Sequence, residues 1–402
     1  MTLHRRHLLL AASALPLSHP LRAQTVAPDA WARIETAAKG QTVYFNAWAG
    51  SERINAYLKW AASELAQRWN VKLEHVKITD TAEAVKRVRA EKSAGRTSDG
   101  SVDLMWINGE NFLAMKKEGL LFGPWSEQLP SYAAVDVQGK PTTRIDFSEP
   151  VEGMEAPWGM AQLTFYADST RVPKAPTSLP ELLDWAKANP GRFTYPKPPA
   201  FHGTTFLKQV LLEATADRRP FYAVYSADIF PAATAPLWAA LDALHPHLWK
   251  QGKQFPASNT VMRQMLADGE LAISLTFNPN EIANEIAAKR LPETVRPYQH
   301  VRGTVGNTHF LAIPFNARAK EGAQVAANFF LSAPAQARKA DIKHWGDPTV
   351  LAVAKLSASD RALFAAGSAP GQLTRSVPAI PEPHGSWVDP IEREWARRYG
   401  SA

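Results

Sequence analysis

Apolar and polar positions along the chain switch repeatedly between short strand-like runs and a helical period. Residues 41–48 (QTVYFNAW), rich in β-branched and aromatic side chains, predict a strand. After Gly50-Ser51, Ile54, Tyr57, Leu58, Ala61, Leu65 and Trp69 recur at the spacing of one helix face. Residues 71–78 predict a second strand, and 81–93 a helix ended by Gly95. Residues 102–107 (VDLMWI) are nearly all apolar, as a parallel strand covered on both faces would be. A helix over 111–118, closed by Gly119, follows. The alternation resumes with a strand over 158–167, a helix over 179–188, a short strand at 193–195 and a helix from about Thr205. A strand at 271–277, a helix at 281–289, a strand at 308–313 and a helix at 324–331 complete it. Residues 24–40 read as a polar lead-in, and 350–402 as helical with Pro-rich breaks. Such alternation predicts an α/β protein whose sheets are mostly parallel and flanked by helices.

A length of 402 residues predicts two or three domains or two large lobes. The first 23 residues change the picture. Arg5 and Arg6 precede an apolar run from Leu8 to Leu17, and Leu21-Arg22-Ala23 offers a small-residue cleavage site. The run is about half of the ~20 residues that span a bilayer, so residues 1–23 read as a removable secretory signal. Arg5-Arg6 ahead of Leu8-Leu9 resembles a twin-arginine signal, and general secretion remains equally open. Removing this segment takes three positive charges from the net +7, leaving +4. That mild excess, without a basic stripe, calls for no nucleic-acid partner. Cysteine is absent, which excludes disulfides, thiol nucleophiles, Cys-ligated metals and a lipidated Cys anchor.

Ligands of open α/β sheets collect where strands lead into helices. Four such turns share one design: an aromatic ring, an amide or hydroxyl, and a Gly or Pro. The first carries Asn46, Trp48, Gly50, Ser51 and Glu52; the second Asn108, Gly109 and Glu110. The third carries Tyr195, Phe201, Thr204 and Thr205; the fourth Phe277 and Asn278. Trp158 and Gln162 lie on the strand between the two halves. Rings supply desolvated contact area and a few polar groups fix orientation. Glu52 and Glu110 would suit a cation, helped by Trp48 or Trp158. Thr204, Thr205 and the helix N-termini would suit an anion. Cap and turn chemistry alone also explains Ser51, Gly50 and Gly109. Nucleophile-elbow, zinc-protease and phosphate-loop motifs are missing. His245-Pro246-His247 has no third ligand for a metal and reads as packing. His309, and less firmly His202, read as satisfied core histidines. Glu52 with Glu110 could be drawn as an acid–base pair of a periplasmic enzyme.

The segments QTVYFNAWAGS (41–51), VDLMWINGENF (102–112), PWGMAQLTFYA (157–167), TYPKPPAFHGTTFL (194–207), SLTFNPNE (274–281), GNTHFLAIP (306–314) and EPHGSWVDPIEREWARRYG (382–400) resemble the extracellular solute-binding proteins (family 1) of ABC importers. The likeness is closest to the YnjB-type subgroup, associated with thiamine import. It implies a two-lobed type II periplasmic-binding-protein-like fold with a ligand cleft between the lobes. Lobe one is expected over 40–160 plus 300–350, and lobe two over 161–295 plus 351–402. It further implies a periplasmic monomer that is no enzyme, holds no cofactor and no metal, closes on a small molecule, and delivers it to a membrane permease. A ligand-binding sensor fits the same features. The ligand stays open among a thiamine-like cation, an anion, a polyamine and a sugar.

Overall fold

A computed structural model describes residues 28–364, 369–375 and 377–400. The expected signal segment, 1–23, lies outside them. The strands that build the sheets are β1 (Thr42–Trp48), β2 (Lys72–Ile78), β3 (Leu104–Ile107), β4 (Glu155–Gln162), β5 (Thr164–Asp168), β6 (Ile273–Thr276), β7 (Val295–Tyr298), β8 (Thr304–Ala312) and β9 (Ala379–Pro381).

In the first sheet, β1 pairs in parallel with β2 on one side and β3 on the other. β8 runs antiparallel to β3 and, on its other side, to β4. The tail strand β9 joins the N-terminal end of β8 in parallel. The helix Glu52–Trp69 packs Ile54, Tyr57, Leu58, Ala61 and Leu65 onto this sheet, the stripe its periodicity predicts. The helix Thr81–Ser93 covers the other face, started by Asp80 and Glu83 in a capping box. Two apolar clusters therefore flank the sheet, one around Phe45, Trp158 and Phe330 and one around Met105, Ile107 and Phe112.

The second sheet departs from the parallel expectation. β5 lies between β6 and β7 and is antiparallel to both, while those two run alike. The expected strand at 193–195 is irregular and joins neither sheet. The long strand expected at 158–167 is two strands. β4 belongs to the first sheet and β5 to the second, with Leu163 between them donating its N–H to Val305. The return crossing is 299–303, between β7 and β8. The helix Phe201–Ala214, together with Leu182, Leu241, Phe193 and Trp395, fills the core against this sheet.

The tail divides between the cores. Leu351, Leu356 and Phe364, from the stretch expected with lobe two, pack on the first. Ile380, Trp387, Ile391 and Trp395 pack on the second. Residues 382–387 touch both sides: Gly385 donates its N–H to Phe147 and Trp387 Nε1 donates to Ala223. The lead-in also differs from expectation, since Pro28–Ala38 is a helix lying on Lys320–Leu331.

Candidate functional site

The turn after β3 is the sharpest feature facing the second lobe. Gly109 sits at φ +59°, ψ −127°, and donates its N–H to Asp146 Oδ2 at 2.6 Å. A Cβ there would come within 2.5 Å of the Phe147 ring, so only glycine fits both the backbone angle and the space. This turn presents Glu110 at the start of the helix Glu110–Lys117. Glu110 keeps a solvent-accessible side chain, yet desolvation by surrounding protein pushes its carboxyl up to about 7. The two facts agree if it faces an enclosed cleft. Lys208 opposes the rise, and the carboxylates of Glu392 and Glu382 add to it.

Those neighbours come from the other lobe and the tail. Lys208 lies on the helix Phe201–Ala214 and is almost wholly buried. Its Nζ is 2.6 Å from Glu382 Oε2 and 4.2 Å from the centroid of Phe147. Asn307 donates to Glu382 Oε1. Thr204, one turn before Lys208, donates to Glu392 Oε1 at 2.5 Å. Burial raises Glu392, with Thr204 and Lys208 opposing and Asp389 and Asp80 reinforcing. Asp146 is fully buried and raised well above the usual carboxylate range, mainly by desolvation, with Glu110 and Glu382 adding. One lysine is therefore set among the carboxyl groups of Asp146, Glu110, Glu382 and Glu392, more acids than bases, with three of the four raised by burial. Phe201 is 37% exposed, stands 5.1 Å from Phe277 and 5.9 Å from the Lys208 ammonium. His202 beside it is lowered to about 4 by desolvation alone, so its imidazole is neutral at pH 7.

The expected residues sort into three groups. Glu110, Gly109, Phe201, Phe277 and Thr204 belong to this cluster. Trp48 is 37% exposed at the end of β1, with its ring against Gly50, where a Cβ would meet it at 2.2 Å. Ser51 starts the helix Glu52–Trp69 without a side-chain cap bond, and Glu52 lines a separate cavity at the edge of the lobes. Glu52 and Glu110 thus stand in different surroundings. Asn108 is half-buried beside Gly109. Asn278 shapes its own turn, its Oδ1 accepting from the Asn280 N–H.

Five of the expected residues are enclosed or already bonded within the protein. Trp158 is fully buried among Phe45, Trp106, Phe330 and Trp345. Tyr195 is fully buried, its hydroxyl bonded to His245 and accepting from Trp395. Asn46 is buried inside β1 and accepts from Arg87. Thr205 is fully buried in the second core. Gln162 spends its amide on the carbonyls of Thr304, Val377 and Pro378 where the chain crosses. In each case the polar group is occupied or enclosed by its own lobe. Lys208, Glu382, Glu392, Asp146, Phe147 and His202 were not in the expected set. Lys208 does carry a local mark: it is the one charge in the largely apolar run TFLKQVLL, seven residues after Phe201 and four after Thr204.

The model of bacterial extracellular solute-binding proteins matches residues 59–365. The protein YnjB of Escherichia coli K12 is 45% identical over 372 residues, covering 92% of this chain and 94% of YnjB. Among solved structures, the periplasmic binding protein AfuA of Actinobacillus pleuropneumoniae, with fructose-6-phosphate bound, superposes with a TM-score of 0.62 at 15% identity, covering 90% of this chain and 99% of AfuA. The spermidine/putrescine substrate-binding protein PotD of Streptococcus pneumoniae gives 0.58 at 12% identity, covering 90% and 97%. At such identities these two speak to the fold alone.

Proposed function

The chain belongs to the bacterial extracellular solute-binding proteins, and from that premise we propose that it captures a small, flat, positively charged solute of the thiamine type for an ABC importer. The solute lies between Glu110 of the first lobe and Lys208, Glu392 and Phe201 of the second. The lobe division behind this reading places β1–β4 and β8 on one side and β5–β7 on the other.

The observation that carries the reading is the unbalanced charge. Four carboxyl groups surround one lysine; burial is the main cause that pushes Glu110 up to about 7 and raises Asp146 and Glu392, and neighbouring carboxylates add to it. An entering cation relieves this repulsion and lets Glu110 ionise. The half-exposed ring of Phe201, backed edge-on by the buried ring of Phe277, supplies an apolar face that attracts a cation. A ligand held by both lobes binds the closed arrangement better than the open one, and so draws the population toward it. The closed form is then the one offered to a permease in the membrane, and the protein itself performs no chemistry.

The test is native mass spectrometry of the protein taken gently from a periplasmic extract, followed by calorimetric titration with thiamine, spermidine, glucose and inorganic phosphate. We expect a retained or titrated cation, thiamine-type ahead of spermidine because of the ring wall. Retention of a neutral sugar with no response to either cation would discard the charge argument. Conversion of any probe into product would discard the binding-protein reading itself.

A further inference from the structure

A second concavity lies at the edge of the lobes, away from the carboxylate cluster. It encloses about 300 Å³. Its walls come from the start of the helix Glu52–Trp69, from residues 338–344 of the first lobe, and from Ala288 and Arg290 of the second. Four cations line it, namely Arg53, Arg290, Arg338 and Lys343, against the single carboxylate of Glu52.

Their existing partners leave positive charge unspent. Arg53 donates to the backbone carbonyls of Ile342, Lys343 and Asn284, which orient it without neutralising it. Arg290 is paired with Glu285, which Arg263 also engages. Arg338 lies over the Trp60 ring at 4.6 Å, and its Nε is buried without a hydrogen-bond acceptor. A buried guanidinium N–H lacking an acceptor is costly, so it marks a place for one. His344, on the same wall, is lowered chiefly by desolvation and further by Arg338, Arg53 and Lys343, with Asp341 opposing. The imidazole therefore reports the same positive field that the geometry gives.

We propose that this concavity is a binding site for a small tetrahedral oxyanion of the phosphate or sulfate class, held between the Arg338 and Lys343 side of the first lobe and Arg290 of the second. Guanidinium forks match such oxygens in pairs, and an ammonium adds a point charge. Because the wall is divided between the lobes, the anion bridges them and favours the closed arrangement. It acts as a co-ligand of closure, at a different address from the cationic solute. The inference does not rest on the solute's identity.

The experiment is thermal unfolding of the full chain in rising sodium phosphate, against sodium chloride at matched ionic strength. We expect a saturable rise in Tm of about 3 °C at ten times Kd, with sulfate behaving alike and chloride without effect. Lys343→Ala, an exposed position, and Arg290→Ala, on the other lobe, are each expected to weaken phosphate binding about tenfold. Arg338→Gln is expected to do the same, but its contact with Trp60 makes it the less clean variant. A response equal to chloride overturns the site. Full phosphate response in Lys343→Ala overturns the assignment to this concavity, and full response in Arg290→Ala overturns the bridge between the lobes.

Discussion

Among the described residues, two lysines are buried against a carboxylate, and they are placed for different ends. Lys339 is fully buried in the first lobe and pairs with Asp347, which also takes His309 at 3.0 Å. The rings of Trp158 and Trp345 stand 5.6 and 5.3 Å from its ammonium. Gly159 leaves the space, since a Cβ there would lie 2.0 Å from Asp347 Oδ2. Burial pushes Asp347 up, but Lys339 and His309 outweigh it and hold the carboxyl below its usual range. Charge here is balanced and every partner is internal. Lys208 is nearly as buried against Glu382, but Glu110, Asp146 and Glu392 stand around it, and all three are raised. Balance marks a pair that holds a loop in place. Imbalance beside exposed aromatic rings marks a place where something is expected to bind.

The strongest way to break the comparison is to remove one partner of the balanced pair. Asp347→Asn leaves Lys339 buried among tryptophans without its counter-charge. A buried charge stripped of its partner costs about 3–5 kcal/mol. Urea unfolding at pH 7 is expected to show that loss. Its pH dependence follows from the lowered carboxyl: the contribution of Asp347 is present above the ordinary Asp value of 3.8 and disappears as pH falls below it. A loss under 1 kcal/mol would mean that water reaches Lys339 and that the two pairs are alike.

The unbalanced site is expected to answer in the opposite sense. Glu110 titrates near 4.5 when free and is pushed up to about 7 in the folded chain. Its stabilising contribution is therefore complete below about 4.5 and is lost as pH rises through 7. At pH 8 the folded protein holds an ionised carboxyl in a crowd of others, so Glu110→Gln is expected to stabilise the unliganded chain. The gain is about 1–2 kcal/mol, discounted because the side chain remains accessible to solvent. The same variant is expected to lose about 10–100-fold in affinity for thiamine, the worth of a charge-assisted contact. Wild-type affinity is expected to fall as pH drops from 8 to 6, because protonated Glu110 no longer attracts a cation, and the variant's profile is expected to be flat. A stability drop in Glu110→Gln, or a pH-independent wild-type affinity, would put Glu110 with the structural residues.

This contrast also explains what could be read along the chain. The helix over 81–93, its cap and the strands at 42–48 and 72–78 follow from local pattern, because each element's period and ends are written in adjacent residues. The proposed roles of Glu110 and Phe201 come from their places at the starts of helices, which sequence does show. Trp158 and Tyr195 turn out fully buried, and sequence could not show it, because an aromatic near a strand end looks the same whether it faces a cleft or its own core. The second lobe's antiparallel ladder could not be read, since an apolar run such as ISLT carries no direction. Glu382 and Glu392 reach the site from the tail, some 270 residues after Glu110, and no local pattern announces a contact at that separation. Lys208 was the one missed residue with a local mark, a charge within an apolar helical run.

The smallest expected effect separates the exposed aromatic from the buried one. Phe201 is 37% exposed and touches Phe277, whereas Trp158 is enclosed on all sides. Truncating an enclosed aromatic costs about 3–5 kcal/mol through lost burial and the cavity it leaves. Phe201→Ala removes little buried area, so its unfolding free energy is expected to stay within about 1 kcal/mol of wild type. What it loses is the ring face offered to a flat cation, an interaction of about 0.5–1 kcal/mol at an accessible site. A titration with thiamine is therefore expected to show a threefold to fivefold weaker affinity in a protein that remains folded. Equal loss for thiamine and spermidine would mean the ring supplies only general attraction to charge. A loss confined to thiamine would mean it stacks on the solute's own ring, and that stacking is what distinguishes a flat cation from a chain-like one in this cleft.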